Sequence, residues 1–406
     1  MTETYFRRGF GLKSSIEGQL AADYASAVVD AFRARGHVLT VGPLTFRLAK
    51  EFGFCYGVDR AVDYAYETRV KFPDRRIFLV GEIIHNPHVN QKLASMGIRF
   101  LEHAAGATFE FTEITAEDVV ILPAFGVTVQ DFQRLRALGC VLVDTTCGSV
   151  LNVWKRVESY ARDGFTAVVH GKYYHEETKA TASQVEKYPG GKYLVLRDLT
   201  EARPVLDFIE GRGDPVALQQ QFAHASTPGF DFTKDLERIG IANQTTMLAG
   251  ESLALAAEFR KSFAARLGTP EAETRFRSFD TLCSATQERQ DAVLGLLEGG
   301  VDLMMVVGGY NSSNTCHLAA LAASKGVTTF HLEDAICVDV EAGTLRHQAV
   351  RAKTESVEPA GWLAGKTIIG LTAGASTPNN KVGETVLRMC QLLGLGQELE
   401  KVLATE

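Results

Sequence analysis

The sequence predicts an α/β protein of three similar units, each with a mostly parallel sheet. First, Cys55, Cys147 and Cys283 each stand where an apolar run typical of a buried strand meets an amphipathic stretch typical of a helix. Second, a polar turn follows each cysteine at nearly the same distance. Third, a further apolar run ending in small or hydroxyl residues closes each unit. Such recurrence indicates an approximate threefold repeat.

The sequences at the three cysteines are related to one another. Asp-Thr-Thr-Cys at Cys147 is nearly repeated as Asp-Thr-Leu-Cys at Cys283. A cysteine that opens a helix points its sulfur at backbone N–H groups and at the positive end of the helix dipole. We therefore expect the thiolate form to be favoured, which is the form that binds metals. The three junctions read LAKEFGFCYGVDRAVDYAYE, VLVDTTCGSVLNVWKRVESY and FDTLCSATQERQDAVLGLLE.

A polar turn about thirty residues after each cysteine marks the end of the next strand. The turns contain His85, His175 and Asn311 in the three units. This offset is that of a βαβ step, in which a helix returns the chain to a parallel strand whose carboxyl end carries a functional loop. The turn sequences are FLVGEIIHNPHVN, AVVHGKYYHEET and LMMVVGGYNSSNT.

The closing runs add a second loop to each unit. Their small and hydroxyl residues suit loops whose N–H and hydroxyl groups face a ligand. If the units pack in a ring, all of these loops face one centre, and the matched offsets favour that interpretation. The alternative is three βαβ domains in series, each with its own site. The closing runs read DVVILPAFGVTVQDF, RIGIANQTTMLAGES and TIIGLTAGASTPNNK.

The repeat predicts a domain organisation. An N-terminal extension precedes the units, and two of the units carry polar, turn-rich surface insertions. The predicted boundaries are 1–44 for the extension, 45–147 for the first domain with strand 45–55 assignable to the third, 148–282 for the second with an insertion at about 197–240, and 283–406 for the third with an insertion at about 338–362.

Composition excludes several classes of function. A net charge of −7 argues against binding to nucleic acid or anionic membranes, which need basic surfaces. No apolar run is long enough for a membrane span. Seven scattered cysteines without a signal peptide fit a reducing compartment. We expect a cytoplasmic location in a bacterium, or the plastid stroma in a plant, although the sequence has no clear transit peptide.

Three cysteines without a fourth suit a metal cluster that keeps one position open for a substrate. Two other interpretations remain: a zinc ion with a histidine as its fourth ligand, and three buried cysteines that act as small apolar residues. The repeat favours metal binding. The cysteines outside the repeated position are interpreted as packing residues: Cys140, Cys316, Cys337 and Cys390.

The polar turns contain a second group of candidate residues, whose side chains are suited to binding an anion. Imidazole, hydroxyl, carboxamide and backbone N–H groups together form an anion pocket, for which a diphosphate is the natural ligand. Glu177 is the best candidate for a proton carrier, with Glu176 as its competitor, and Thr245 and Thr246 could orient the proton. The anion-binding candidates are His85, His175, residues 311–314 and Ser376.

The motifs around these residues resemble those of a known family, the 4-hydroxy-3-methylbut-2-enyl diphosphate reductases, also called LytB or IspH proteins. Phe125 stands where many bacterial members have a histidine, and the segments ILPAFG and HGKYYHEET, with the N-terminal extension, instead resemble the plant and cyanobacterial branch. Since phenylalanine cannot donate a hydrogen bond, we do not count it as a phosphate ligand. The matching motifs are GFCYGVDRAV, EIIHNPHVN, VDTTC, HGKYYHEET, NQTT, DTLCSATQERQ, GGYNSSNT and TAGAS.

The resemblance implies a trefoil of three α/β domains around a central [4Fe–4S] cluster, one per chain. Cys55, Cys147 and Cys283 would be its three protein ligands and would leave an apical iron open. Glu177 would be the proton donor, with Thr245 at the substrate hydroxyl. The residues that would bind the substrate are His85, His175, Thr246, Ser312, Ser313, Asn314 and Ser376.

The activity implied is reductive dehydroxylation of (E)-4-hydroxy-3-methylbut-2-enyl diphosphate to isopentenyl and dimethylallyl diphosphate. This is the last step of the methylerythritol phosphate route to isoprenoids, and the implied electron donor is a ferredoxin or flavodoxin. Two other functions could use three such cysteines. A non-redox dehydratase could use the same open iron but would favour arginine for a carboxylate substrate. A zinc-binding structural or sensing protein would be colourless.

Overall fold

The structure is a computed structural model that describes residues 4–102, 109–279, 283–350 and 352–405. Its central strands are the apolar, β-branched runs of the sequence. In chain order they are β1 (Tyr5–Phe6), β2 (Val38–Val41), β3 (Leu44–Leu48), β4 (Ile77–Val80), β5 (Ile98–Leu101), β6 (Val119–Leu122), β7 (Val141–Asp144), β8 (Thr166–His170), β9 (Tyr193–Leu196), β10 (Ile239–Asn243), β11 (Phe276–Ser278), β12 (Leu303–Val307), β13 (Thr329–Leu332), β14 (Leu345–Gln348), β15 (Glu355–Glu358) and β16 (Ile368–Ala373).

Helices connect the strands and cover the sheets. Two short 3-10 segments, Ser183–Lys187 and Ala335–Cys337, accompany them. The helices are α1 (Lys13–Tyr24), α2 (Ala27–Ala34), α3 (Tyr56–Lys71), α4 (Pro87–Ser95), α5 (Val129–Leu138), α6 (Gly148–Arg162), α7 (Glu176–Ala182), α8 (Leu199–Ile209), α9 (Pro215–Phe222), α10 (Phe232–Asp235), α11 (Ala249–Leu267), α12 (Thr269–Arg275), α13 (Ser284–Glu298), α14 (Ser313–Ser324), α15 (Asn379–Leu392) and α16 (Gly396–Ala404).

The first of two compact units comprises Met1–Gly9, Lys71–Ile83 and Met96–Cys283. Its described residues form two sheets with the strand orders β1-β7-β6-β4-β5 and β11-β10-β8-β9. Every strand pair in both sheets is parallel. The loops after β6, β7, β8 and β10 therefore lie at the carboxyl edges of these sheets, where parallel α/β folds place functional residues.

The second unit comprises Phe10–Val70, Ile84–Ser95 and Ser284–Glu406. Its sheet has the order β15-β14-β13-β12-β16-β3-β2. The central strands β13, β12, β16 and β3 are parallel, and antiparallel strands extend both edges. The carboxyl ends of β3, β12 and β16 carry the loops that lead to α3, α14 and α15.

Burial explains why these runs form parallel sheets. All residues of β4, β6, β7, β8, β10 and β12 are buried, as expected for strands that are covered on both faces. The apolar side chains of the second unit's sheet pack with α2, α15 and α16 in one core. The predicted α/β class with three mostly parallel sheets is confirmed among the described residues.

The two segments interpreted as surface insertions have regular structure. Residues 197–240 contain α8, α9 and α10, whose Leu206, Phe222 and Phe232 are buried with residues of β9 and β10. Burial of these apolar side chains outweighs the polar, turn-rich composition of the segment. Residues 338–362 contain the β14–β15 hairpin. The domain boundaries themselves stay a prediction, and residues 280–282 of the third cysteine motif lie outside the described residues.

Candidate active site

Cys147 lies between the carboxyl end of β7 and the first turn of α6, in the first unit. The Asp144 carboxylate shapes this turn, since its Oδ1 accepts hydrogen bonds from Thr146 N at 2.9 Å and from Thr146 Oγ1 at 2.5 Å. Its Oδ2 accepts a 2.6 Å bond from the hydroxyl of Tyr5, which belongs to β1. The turn that presents the thiol is therefore fixed by a buried carboxylate that the N-terminal strand also contacts.

Cys283, the last residue of the first unit, lies close to the same turn. The Ser149 hydroxyl donates to Cys283 Sγ at 3.4 Å. Burial raises the pKa of the Cys147 thiol, the N–H of Ser149 opposes this, and the nearby Cys283 raises the pKa further. The expected preference for thiolate is therefore wrong for Cys147 in the metal-free protein, because desolvation outweighs the helix N–H groups. Two free thiols near one serine suit a thiophilic metal such as iron.

Cys55 belongs to the second unit and precedes α3. Its N–H donates to the Ala375 carbonyl at 3.2 Å, and its own carbonyl accepts from the Asp59 N–H at 2.9 Å. The side chain is half-buried, like those of Cys147 and Cys283. The backbone on both sides of this cysteine is thus held by hydrogen bonds.

The cysteines outside the repeat have different surroundings. Cys140, Cys337 and Cys390 are buried in apolar cores. Burial raises the pKa of Cys140 and of Cys390 to about 11, so both stay protonated at neutral pH. Cys316 is half-buried, and its Sγ donates to the Tyr310 carbonyl at 3.3 Å. These contacts agree with packing roles.

The structure places Glu177 and Thr245 together in the first unit. Glu177 is 2% exposed, and its Oε1 accepts a 2.6 Å bond from the Thr245 N–H while its Oε2 accepts a 2.9 Å bond from the Thr245 hydroxyl. The His175 imidazole caps α7, because its Nδ1 accepts from the Glu177 N–H at 3.2 Å. The carboxylate is therefore oriented by its neighbours before any substrate binds.

Gln244 orders the loop that carries the two threonines, and sequence reasoning missed it. Its Nε2 donates to Thr246 Oγ1 at 2.8 Å, and its Oε1 accepts from Thr178 Oγ1 and from the Lys172 N–H, both at 3.1 Å. Gln244 is fully buried. Its position directly before Thr245, in a buried strand-end loop, was the available signal, since a glutamine there must find partners.

Phe125 contacts His175 and occupies a tight loop after β6. The two rings meet edge to face with centroids 5.9 Å apart. Gly126, the next residue, has a φ of +77°, and a Cβ there would lie 2.4 Å from the Trp154 ring. Glycine is thus required to let the loop pass Trp154, and Phe125 supports the imidazole by packing.

In the second unit the structure places Ser312 and Ser376 beside His85. The Ser376 hydroxyl lies 3.1 Å from the His85 carbonyl and 3.4 Å from Ser312 Oγ. Ser312 caps α14, because its Oγ accepts from the Thr315 N–H at 3.4 Å. Asn311 Nδ2 lies 3.4 Å from His85 Nδ1. Asn311 stood in the predicted turn, but its contact with the imidazole was not foreseen.

Asn314 supplies a donor to the same cluster. Its Oδ1 accepts a 2.9 Å bond from the Ala375 N–H. Its Nδ2 is buried and has no hydrogen-bond partner among the residues that the structure describes. Ser313 is the first residue of α14 and is also buried. A buried amide donor and a helix N-terminus together form a setting for an anionic group.

Comparison with known proteins identifies the family. The profile of the family described as LytB protein matches residues 46–390. The chain belongs to the LytB family. The resemblance noted in the sequence is thereby confirmed, and LytB enzymes are iron–sulfur proteins.

The LytB relatives are similar over nearly their whole length. The 4-hydroxy-3-methylbut-2-enyl diphosphate reductase of Gloeobacter violaceus is 46% identical over 98% of this chain and 94% of its own. That of Thermosynechococcus vestitus is 44% identical over 96% of this chain and 95% of its own. These relatives are mostly cyanobacterial, in agreement with the predicted branch.

Two solved LytB structures share the fold. The E-1-hydroxy-2-methyl-but-2-enyl-4-diphosphate reductase of Plasmodium falciparum superposes with a TM-score of 0.63 at 19% identity, over 85% of this chain and 87% of that one. A second structure, of (E)-4-hydroxy-3-methyl-but-2-enyl diphosphate reductase, gives a TM-score of 0.50 at 26% identity, over 85% and 98%. Within the described part of this LytB chain, no helix is long and apolar enough to cross a membrane.

Proposed function

We propose that this LytB protein is a 4-hydroxy-3-methylbut-2-enyl diphosphate reductase and acts last in the methylerythritol phosphate pathway. The observation that carries this proposal is the 46% identity, over 98% of the chain, to a protein of that name. The buried Glu177–Thr245 pair supports it, since the reaction needs a proton at a hydroxyl group.

The reaction removes the hydroxyl group of (E)-4-hydroxy-3-methylbut-2-enyl diphosphate. Two electrons and two protons are consumed for each substrate molecule. The allylic C–O bond breaks, and the oxygen leaves as water after it takes up one proton. The second proton adds to carbon at one end or the other of the allyl unit, which gives dimethylallyl or isopentenyl diphosphate.

The cofactor of the proposal is one [4Fe–4S] cluster per chain, held by Cys55, Cys147 and Cys283. The free, half-buried thiols of Cys147 and Cys283 around Ser149 fit such a group. When bound, the cluster supplies the electrons singly and, with three protein ligands, an open apical iron that acts as a Lewis acid. A ferredoxin or flavodoxin is the proposed electron donor.

Glu177 is the proposed proton donor, and Thr245 orients it. The hydroxyl of Thr245 lies 2.9 Å from Glu177 Oε2, so a substrate hydroxyl at Thr245 comes within one hydrogen bond of the carboxyl group. Hydroxide is a poor leaving group, and protonation of the departing oxygen lowers the barrier. Thr246, held by Gln244, is the proposed second contact to the substrate.

The substrate diphosphate is proposed to bind neutral donors. Hydroxyl, amide and imidazole groups hold an anion by directed hydrogen bonds, and the N-terminus of α14 adds its dipole. The buried Nδ2 of Asn314 supports this assignment. No role for nucleic acid or membrane is proposed, and the location is the cytoplasm or, in a plant, the plastid stroma. The proposed ligands are His85, His175, Ser312, Ser313, Asn314 and Ser376.

Anaerobic purification followed by iron analysis and turnover tests this proposal. We expect a brown protein that dithionite bleaches and that, with a reduced viologen, converts the allylic hydroxy-diphosphate to both products. Cys147→Ser should lose iron and turnover, whereas the matched Cys140→Ser, at a buried apolar position, should keep both. A colourless, zinc-loaded protein without turnover would contradict the proposal, as would conversion that needs no reductant.

A further inference from the structure

Arg289, on α13, is a buried cation that the proposed reaction does not use. It is 3% exposed. Its guanidinium donates to the Gly53 carbonyl from Nη2 at 2.7 Å and from Nε at 3.2 Å, and to the Phe54 carbonyl from Nη2 at 3.1 Å. Nη1 donates to the Ala285 carbonyl at 2.8 Å, which anchors the group to its own helix.

The carbonyl groups of Gly53 and Phe54 directly precede Cys55. The N–H groups of this loop are held as well, because those of Gly53 and Cys55 donate to Ala373 O, at the end of β16, and to Ala375 O, each at 3.2 Å. Gly53 has a φ of +67°, a conformation that residues with a side chain rarely adopt. Arg289 thus completes a set of hydrogen bonds that fixes the unusual backbone conformation of Gly53, two residues before the cysteine.

The carboxyl group of Asp59 interacts electrostatically with Arg289 but forms no close ion pair with it. Within the described ranges no ion pair involves Arg289, and its hydrogen bonds go to backbone carbonyl groups. Burying a charge is costly unless something compensates it, and carbonyl dipoles do so only in part. An iron–sulfur cluster bound by three thiolates is negative overall, and each electron added makes it more so. A cation beside one ligand loop suits that charge.

We propose that Arg289 is a positioning residue that holds the Cys55 loop and supplies a counter-charge for the reduced cluster. This rests on the proposed function, because it takes Cys55 as a cluster ligand. A buried cation favours the more negative, reduced state, so Arg289 raises the reduction potential of the cluster. Its second effect is to keep the Cys55 backbone ordered when no metal is bound.

Two variants separate these roles. Arg289→Lys keeps the charge, but an ammonium group cannot reproduce the hydrogen bonds that the planar guanidinium donates to several carbonyl groups at once. Arg289→Gln removes the charge and most of the bonds. The matched control is Arg47→Gln, because Arg47 in the same unit also donates to two carbonyl groups, those of Gly299 and Gly300. Those carbonyl groups adjoin no cysteine.

The positioning role is measured in metal-free protein by amide hydrogen exchange. Both Arg289 variants should speed amide exchange at Cys55 and Asp59 by at least about tenfold. The N–H groups of these two residues donate to the carbonyl groups of Ala375 and Cys55. Arg47→Gln should leave these amides unchanged. Wild-type exchange rates in both Arg289 variants would overturn the positioning role. If Arg289→Gln fails to fold, Arg289→Lys alone decides the question.

The counter-charge role is measured in the loaded protein by potentiometric titration of the cluster. At a fixed potential, Arg289→Gln should lower the ratio of reduced to oxidised cluster about tenfold relative to wild type, which is a shift of about 59 mV for one electron. Arg289→Lys should stay within about threefold. Equal shifts in both variants, or none in either, would overturn this role.

The two levels of the proposal fail in distinguishable ways. A wild-type protein that binds no iron would overturn the proposed function, and the counter-charge with it. The exchange rates of metal-free protein decide the positioning of the loop independently of the cluster.

Discussion

The polar clusters of the two units differ in the kind of group they present. In the first unit, the Glu177 carboxylate is buried and accepts hydrogen bonds at both oxygens from Thr245. In the second, around Ser312, the neighbours are hydroxyl, amide and imidazole groups at the start of α14. One cluster centres on a carboxyl group, and the other on hydroxyl, amide and imidazole groups.

Under the proposed function, this difference assigns the proton donor to the first unit and most of the diphosphate ligands to the second. A positioned carboxyl group changes the energy of the transition state, whereas neutral donors to a diphosphate hold substrate and transition state alike. Variants of Glu177 should therefore lower kcat, and variants of the proposed diphosphate ligands, most of which lie in the second unit, should raise KM.

Glu177→Gln should have the largest effect on catalysis. The amide keeps the shape of the side chain but cannot deliver a proton, so we expect kcat to fall by roughly 10²- to 10⁴-fold with little change in KM. The matched control is Glu176→Gln, one residue earlier, which should stay within a few-fold of wild type. Steady-state kinetics with a reduced viologen measure both, and near-normal turnover of Glu177→Gln would remove it from the mechanism.

Asn314→Asp should show the opposite kinetic pattern. It keeps the Oδ1 that accepts from Ala375 but replaces the buried donor with an anion. Loss of one charge-assisted hydrogen bond should raise KM by roughly 10- to 100-fold, with kcat changed much less. Gln391→Glu, an exposed amide-to-acid change in the same unit, is the control. A fall in kcat alone would contradict the division between the units.

Each unit also contains a strand histidine that is almost completely buried, which extends the comparison to stability. Burial lowers the pKa of His170 in β8 and of His331 in β13 to about 4. Since the unfolded chain titrates near 6.5, it binds more protons between pH 6.5 and 4, and stability is lost as the pH falls through this window.

The loss should reach about 3 kcal/mol for each histidine by pH 4. His170→Gln and His331→Gln should each reduce the slope of unfolding free energy against pH in that window, as measured by urea denaturation. A slope that neither substitution alters would show that other groups determine the acid sensitivity.

Phe125→Leu should have the smallest effect. Loss of the edge-to-face contact with His175 removes about 0.5–1.5 kcal/mol of packing, so KM should rise by roughly two- to tenfold. The melting temperature should change little, since leucine still fills the loop. A change in kcat without a change in KM would mean that this ring acts on the chemistry and not on the imidazole that it supports.

Much of the fold was predictable because parallel strands leave a strong local signal. The apolar runs that end at Asp144, His170 and Asn243 became β7, β8 and β10, with loops at their carboxyl ends as expected. Residues 197–240 were not predictable in the same way. Their apolar side chains are spaced among polar turn residues, and only tertiary burial shows that they belong to a core.

Within the candidate site, sequence could name residue types but not their partners. It left Glu176 and Glu177 as competitors, and the bonds to Thr245 distinguish the buried one. It missed Gln244 because a side-chain network depends on rotamers that no spacing encodes. It also predicted a thiolate from the helix position of Cys147, whereas burial opposes ionisation.

The Tyr5–Asp144 hydrogen bond has a practical consequence for producing this protein. β1 pairs with β7, and the Tyr5 hydroxyl reaches the carboxylate that shapes the turn before Cys147. We expect an affinity tag fused directly before residue 5 to disturb this edge strand and, through Tyr5, the turn before Cys147. Purification handles are better attached after α16, and preparations that lack the first nine residues should be checked for iron before their activity is compared.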